Sequence, residues 1–389
     1  MGEPTAPASA APRKRPSRWH LPLWWANGLA VLLLLLTYLA PHMSPKLFWP
    51  LTMLAYAFPF QLLLHAGFLC YWLLFRRKRM LLSGIALLVG YGHVADHVQV
   101  FGSDEKPADA IGDGVKLLSW NVRLFDLYNW DDNVRTRDAI FDVLKQEDAG
   151  ILCLQEFFHS PDQRFFRTRD AIMGKLGHRA EHLAWTHRVK KYDQHFGIAT
   201  FTRHRIAARG RLDFGRKTNN ICIWTDIVIG LDTIRVFNAH LASLHFGHAE
   251  YQFIDSMRAD PDADALQARG GRILELVRDG AVRRAGEAAL IDSALRASPH
   301  PAVFCGDIND VPMSYAYHRL RGPMLDAFTE SGSGLGGTYI GKLPKLRIDH
   351  ILHDEAIASW GFRTLPQKLS DHHANAAMIA VRVPSNGTD

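Results

Sequence analysis

Two long uncharged runs near the N-terminus constrain this 389-residue chain more than any other feature. Residues 21–40 and 47–75 contain no Asp, Glu, Lys or Arg, and the first includes Val31-Leu32-Leu33-Leu34-Leu35-Leu36. A helix needs roughly 20 apolar residues to cross a bilayer core, and both runs meet that length. Trp24, Trp25, Trp49 and Trp72 lie near the run ends, where aromatic rings settle at the water–lipid interface. Pro41 and Pro45 suit a short turn between the runs. The rival reading of the first run is a cleaved signal peptide. The run is long for a signal core, no clear small-residue cleavage site follows, and a second apolar run comes at once. Residues 1–20 therefore read as a basic tail and 21–101 as a region of two or three transmembrane helices.

Basic residues orient such helices, because Lys and Arg stay on the cytoplasmic side. Arg13, Lys14, Arg15 and Arg18 precede the first run, and Arg76-Arg77-Lys78-Arg79 follow the second. Two crossings between them agree with this, out and back. A third run, 80–95, is close to the minimum span and ends at His93, Asp96 and His97. If it crosses, everything after it lies outside the cytoplasm. If it lies on the surface, the remainder is cytoplasmic. Crossing is the expectation, which makes the protein a multi-pass membrane protein with an extracytoplasmic domain.

The charge points away from duplex nucleic acid. The chain carries +6 in all. Residues 1–111 hold ten basic and five acidic side chains, a net +5, which leaves +1 for the rest. Duplex binders more often show a clearly basic domain. The four cysteines, Cys70, Cys153, Cys222 and Cys305, each sit in an apolar run without metal-ligand spacing. They read as buried free thiols.

Residues 102–114 are polar and turn-rich and read as a linker. From 115 to 384, short apolar runs alternate with helical stretches. Strands are expected at 115–120, 150–154, 196–202, 221–229, 233–239, 302–305, 347–352 and 376–383. Helices are expected after Asp131 or Asp132, from Ser160-Pro161 toward Leu176, over most of 262–297 and near 314–320. The order lacks a strict strand–helix–strand repeat, so an α/β fold with mixed or antiparallel sheets follows.

Many of these runs deliver a polar side chain at or just beyond their C-terminal end. Asn121 follows Leu117-Leu118-Ser119-Trp120, and Glu156 follows Cys153-Leu154-Gln155. His240 follows Phe237-Asn238-Ala239, and Asp307 and Asn309 follow Phe304-Cys305-Gly306. Asp349 lies in Arg347-Ile348-Asp349-His350, and Asp371-His372 follow Ser370. Each has a bland reading alone, as a turn residue or solvated strand end. Together they would form an acidic pocket rimmed by Asn and His. Hard divalent cations take oxygen ligands, and a histidine can deprotonate water while a carboxylate fixes its tautomer.

The combination resembles the endonuclease/exonuclease/phosphatase superfamily over residues 117–382. The matching pieces are Ser119-Trp120-Asn121-Val122, Leu154-Gln155-Glu156, Asn238-Ala239-His240-Leu241, Gly306-Asp307-Ile308-Asn309, Arg347-Ile348-Asp349-His350-Ile351 and Ser370-Asp371-His372. The resemblance implies a four-layer α/β sandwich with two central mixed sheets and the active site at one end. It implies Mg2+ or Mn2+ held mainly by Glu156, with Asn121 and Asp371 beside it. Asp307 and Asn309 would position the nucleophile or leaving group and the phosphate. His372 would act as general base or phosphate contact, oriented by Asp349, and His240 would contact the phosphate. Ile308 replaces the usual aromatic, and 246–298 is longer and more helical than in compact nucleases. The N-terminal runs resemble the membrane-anchored bacterial branch, which implies the inner cell membrane.

A divalent-metal phosphoesterase tethered to the lipid bilayer is the function this predicts. A lipid headgroup fits the anchor and the neutral domain, and a nucleic acid substrate fits the family but gains nothing from charge. A silent binding module would have lost catalytic positions, and none of those named is lost. The sequence points to no protein partner.

Overall fold

The computed structural model describes residues 20–129, 131–162, 165–215, 218–244, 263–341 and 345–383. The basic residues Arg13, Lys14, Arg15 and Arg18 lie outside the described residues, as does 246–262 of the long insertion.

The N-terminal third is helical: α1 (His20–Thr37), α2 (Pro45–Phe48), α3 (Pro50–Phe75), α4 (Met80–Val89) and α5 (Tyr91–Ala95). α1 and α3 are each long and apolar enough to cross a membrane. Their outward faces are leucine-rich, with Leu29, Leu32, Leu35, Leu63 and Leu74 exposed. Their inward faces are partly polar. Ser83 Oγ donates to Asn27 Oδ1 at 2.7 Å and pairs with His65 Nδ1 at 3.0 Å, and Gln61 Nε2 donates to Thr37 Oγ1 at 2.9 Å. All five side chains are buried.

The third apolar run is not one helix. It breaks at Gly90, where a side chain would collide with Tyr38: a Cβ would lie 2.1 Å from the ring. Tyr38 fills that gap and its hydroxyl donates to Ala86 O at 3.0 Å. α4 and α5 still run back along α1 and α3. Arg79 Nη1 donates to His20 O at one end, and the rings of Phe58 and His97 lie 4.7 Å apart at the other. Cys70 is exposed on α3, against the expectation of burial. Cys153, Cys222 and Cys305 are free and buried as expected.

The remainder forms two six-stranded sheets. The first comprises β1 (Val115–Asn121), β2 (Ile151–His159), β3 (Ala180–Val189), β4 (Gln194–Thr202), β11 (Ile357–Thr364) and β12 (Asn375–Val381), in the order β11-β12-β1-β2-β4-β3. The second comprises β5 (Arg205–Asp213), β6 (Ile221–Ile229), β7 (Asp232–His240), β8 (Ala302–Asp307), β9 (Leu325–Asp326) and β10 (Asp349–His353), in the order β5-β6-β7-β8-β10-β9. Each sheet is mixed and has one parallel pair, β1 with β2 and β7 with β8.

Alternation along each strand builds the layers. Leu117, Ile151 and Cys153 point between the sheets and meet Val236, Val303 and Ile351. Leu118, Leu152 and Leu154 point the other way, onto α6 (Asn133–Glu147) and α7 (Thr168–Lys175). Phe237 and Phe304 face α8 (Ala263–Arg296) and α9 (Tyr315–Arg321). The result is a four-layer α/β sandwich, with helices covering both apolar sheet faces. Asp132 caps α6, accepting from Arg135 N. The helix expected from Ser160 starts instead at Thr168. Ser160 Oγ accepts from Asp162 N in a local turn and donates to Tyr192 O, so its cap-like sequence serves a loop.

The helical region docks on this sandwich through one apolar cluster. Leu34, Ala55 and Phe58 pack with Val311, Met313 and Ile348, which follow β8 and precede β10.

Candidate active site

The two parallel pairs end side by side, and their registers set the site. Asn121, the last residue of β1, lies opposite Gln155 of the longer β2, and His240 lies opposite Asp307 where β7 and β8 end together. Parallel strands carry their C-terminal residues to the same end of a sheet, so Asn121, Glu156, His240 and Asp307 from four strands meet there.

Glu156 reaches the centre through a local irregularity. The β2–β4 register shifts between Leu154 and Phe157, and Glu156 adopts a positive φ of 46°. A bulge of this kind re-aims a side chain, and left-handed backbone at a non-glycine residue concentrates at functional sites. Gln155 turns inward instead, and its Nε2 donates to Asn238 Oδ1 at 2.7 Å and Ser119 Oγ at 3.2 Å.

Asn121 Nδ2 lies between two carboxylates, 3.2 Å from Glu156 Oε1 and 3.0 Å from Asp307 Oδ2. His240 Nε2 sits 3.7 Å from Glu156 Oε1 and 3.6 Å from Asp307 Oδ2. His372 Nδ1 is 2.8 Å from Asp349 Oδ2, and its Nε2 is 3.7 Å from Asp307 Oδ2. Asn309 has φ 53°, and its Nδ2 donates to Leu241 O at 3.0 Å while its N–H donates to Asp307 Oδ1 at 2.8 Å. Asp371 is paired with Arg123 (Nε to Oδ2, 3.6 Å), and Ser370 Oγ donates to Asn121 O at 2.7 Å, tying this loop to the end of β1.

Burial and charge oppose each other here. Burial works against a charged His372, but the Asp349, Asp307 and Asp371 carboxylates outweigh it and raise its pKa well above 6.5. Burial raises Asp307 above 3.8, with His372 pulling the other way. His372 is thus held as a cation against a reluctant carboxylate.

Asp307, Asp349 and His372 offer ligand atoms all within 4.8 Å of one another. The short Nδ1–Asp349 contact makes that group a hydrogen-bonded acid–imidazole pair rather than a metal cradle. Glu156 and Asp371 offer carboxylate oxygens here, while Asn121 turns Nδ2 toward Glu156 and its Oδ1 accepts from Arg123 N at 3.1 Å. Glu156, with 34% of its side chain exposed, faces open space, as does Asp371 at 30%. Glu156 lines a cavity of about 370 Å³ with Leu124, Tyr128, His187, Phe196 and His240. Carboxylate oxygens are the donors that a hard divalent cation takes.

The sequence reading missed several residues that shape this site. Arg123 partners Asp371. Tyr339 packs edge-on against His372, with ring centroids 5.5 Å apart. Thr338 Oγ1 accepts from the N–H groups of Ile348 and Asp349. His187 belongs to β3, a strand the pattern did not reveal. The available signal for Arg123 was its place two residues beyond Asn121; Thr338 and Tyr339 carry none.

Two family patterns match the chain: a domain of unknown function over residues 20–97, and the Endonuclease/Exonuclease/phosphatase family over residues 118–372. No curated protein matches it. Among solved structures, an endonuclease/exonuclease/phosphatase from Bacteroides vulgatus superposes with a TM-score of 0.51 at 15% identity, covering 70% of this chain and 100% of that one. A family protein from Bacteroides thetaiotaomicron gives 0.50 at 16%, covering 69% and 98%. A mannosyl-6-phosphatase from the same organism gives 0.48 at 16%, covering 68% and 99%. Members of the matched family are phosphoesterases or nucleases, hydrolases of phosphate esters that typically use divalent metals. The family pattern spans more than half of the sequence and the fold agrees, so the chain belongs to the endonuclease/exonuclease/phosphatase family.

Proposed function

We propose that this protein is a membrane-tethered phosphoesterase that depends on a divalent cation. The observation that carries this reading is the convergence of Asn121, Glu156, His240, Asp307 and the Asp349–His372 pair, with Glu156 and His240 lining a cavity. Glu156, Asn121 and Asp371 would hold Mg2+ or Mn2+, which supplies charge neutralisation of the phosphoryl group. Asp307, raised by burial, is the carboxylate suited to accept a proton from the attacking water. His372, kept cationic and oriented by Asp349, presents Nε2–H to a phosphoryl oxygen. His240 does the same from β7, and Asn309 donates from the loop beyond β8.

The tether rests on the helical region. Most of its leucines face outward, while Asn27, Thr37, Gln61, His65 and Ser83 face inward, the arrangement that suits hydrocarbon surroundings. The return of α4 and α5 along the bundle supports a third crossing, with Arg76–Arg79 at the cytoplasmic end and the catalytic domain on the opposite side. A bacterial inner membrane fits this topology. The near-neutral domain close to the bilayer favours a membrane-proximal phosphoester, such as a lipid headgroup, over nucleic acid.

The test uses the full chain in detergent or reconstituted bilayers with Mg2+, Mn2+ or EDTA. Substrates are bis-p-nitrophenyl phosphate, a phosphoinositide, sphingomyelin and plasmid DNA. Metal-dependent turnover that falls about 1000-fold or more in His372→Ala is expected. Turnover on DNA alone would replace the lipid reading with a nuclease. Full activity in His372→Ala would overturn the site.

A further inference from the structure

Arg284 on α8 is fully buried, and its guanidinium is shared among three segments. Nε donates to Asp310 Oδ2 at 2.8 Å, Nη1 to Ala242 O at 2.9 Å and Nη2 to Tyr56 Oη at 2.8 Å. Asp310 directly follows Asn309. Ala242 lies two residues beyond His240. Tyr56 belongs to α3, 228 residues away in sequence from Arg284. One cation therefore fastens the loops after β7 and β8, which carry two of the site residues, to an apolar N-terminal helix.

A second tether lies beside the first. Arg321 Nη1 reaches Asp96 Oδ1 at 2.5 Å, and Arg347 Nη2 donates to Asp96 O at 2.7 Å. Arg347 also bonds Asp326 Oδ2 at 2.7 Å and approaches His350 Nδ1 at 3.0 Å. Arg347 and His350 bracket Asp349, the carboxylate that orients His372. The turn beyond α5 thus grips β10 where it enters the site.

Buried charges must keep their hydrogen-bond partners, because an unpaired one is costly in a dry interior. Neither loop can shift without breaking such a pair. Catalytic groups need placement to within about 0.5 Å, and a misplacement of about 1 Å can cost about 100-fold in rate. Apolar packing of Val311, Met313 and Ile348 against Leu34, Ala55 and Phe58 closes the same junction.

We propose that the helical region is a working part of the active site, with Tyr56 and Asp96 as positioning residues for the His240, Asn309 and Asp349 segments. This rests on the phosphoesterase reading above and goes beyond a tether: the helices set the geometry of the chemistry.

The experiment compares full-length wild type, Tyr56→Phe, Asp96→Asn and Leu63→Ala in the same detergent. Leu63 is an exposed residue of α3 away from the junction and serves as control. Turnover of bis-p-nitrophenyl phosphate and hydrogen–deuterium exchange over 241–244, 308–313 and 347–350 are read together. Tyr56→Phe is expected to lower kcat about 10-fold with KM within about twofold. It is also expected to speed exchange over 241–244 and 308–313. Asp96→Asn, which loosens Arg321 beside Arg347, is expected to lower kcat more weakly and to speed exchange over 347–350, and Leu63→Ala to match wild type. A purely structural role would lower thermal stability but leave the kcat of the folded protein unchanged. Wild-type kcat and exchange in both junction variants would overturn the proposal. If wild type itself shows no turnover, the phosphoesterase reading fails separately. The exchange comparison then decides this one: faster exchange supports the coupling, and unchanged exchange overturns it.

Discussion

The helical region and the sandwich sort their side chains in opposite senses. In the sandwich, Phe125, Phe157, Phe201 and Phe304 are buried, and surface strands such as β5 carry Arg205, Arg209 and Arg211 outward. In the helices, Leu29, Leu32, Leu63 and Leu74 face outward while Asn27, Gln61, His65 and Ser83 are buried. Water rewards the first arrangement through the hydrophobic effect. It gives no reason for the second, which follows when the surroundings are as apolar as leucine itself. The two regions also use buried polarity differently. The sandwich buries full charges, such as Asp326 with Arg347, whereas the helical interior away from the junction buries amides, hydroxyls and an imidazole. A buried charge is therefore high-stakes in one region, and a buried hydroxyl is low-stakes in the other.

The most severe way to probe that contrast is Asp326→Asn. Asp326 accepts from Tyr317 Oη at 2.6 Å and from Arg347 Nη1 at 2.7 Å. The substitution leaves Arg347 buried beside a neutral amide, which costs about 3–5 kcal/mol. Burial alone would raise the Asp326 pKa, but Arg347, His350 and the hydrogen bonds outweigh it and hold it below its ordinary 3.8. The sign follows. A depressed folded pKa contributes stability that is present above the unfolded value and lost as pH falls through the folded one. Wild type should thus lose part of its stability as pH drops below about 4, and the gap between wild type and Asp326→Asn should narrow there. Denaturant unfolding of the full chain at pH 7 and pH 3.5 measures both. Equal stability of the two proteins at pH 7 would show that this buried pair is dispensable.

The exposed leucines supply the next comparison, with Leu29→Lys set against Leu231→Lys. Leu29 lies mid-helix on the outward face of α1 at 59% exposure, and Leu231 lies fully exposed in the β6–β7 turn. If lipid surrounds α1, a lysine at its centre costs about 2.5–3.5 kcal/mol on the insertion scale. The turn substitution stays within about 0.5 kcal/mol in water. Fractionation should find Leu231→Lys in the membrane at the wild-type level and Leu29→Lys depleted from it. Equal recovery of both would remove the lipid-facing assignment of α1.

This asymmetry was largely legible in the sequence, because an uncharged run of 20 residues is a one-dimensional signal. The strand-end residues were legible for the same reason: Asn121, Glu156, His240 and Asp307 each close a short apolar run. Other features depend on contacts between distant segments and leave no local pattern. Glu156 reaches the cavity through a bulge and a positive φ, and nothing in Leu154-Gln155-Glu156 announces either. β5 alternates only weakly and is rich in arginine because it is an exposed edge, so it does not read as a strand. The Tyr56–Arg284–Asp310 junction joins three regions that are far apart in sequence. The break at Gly90 depends on the Tyr38 ring, 52 positions earlier.

The smallest expected effect is the sharpest test of how the helical interior differs from the sandwich interior. Ser83 Oγ links Asn27 Oδ1 and His65 Nδ1 inside the bundle, and Ser83→Ala removes both bonds. In a lipid-surrounded bundle such interhelical bonds average about 0.6 kcal/mol and reach about 2 kcal/mol, because polar groups find other partners when the helices separate. The loss should therefore be about 1 kcal/mol, a few-fold below that of Asp326→Asn. Thermal unfolding of both variants in the same detergent ranks them directly. If Ser83→Ala proved as damaging as Asp326→Asn, the helical interior would be a high-stakes polar network like that of the sandwich. The outward leucines alone would then have to carry the membrane assignment.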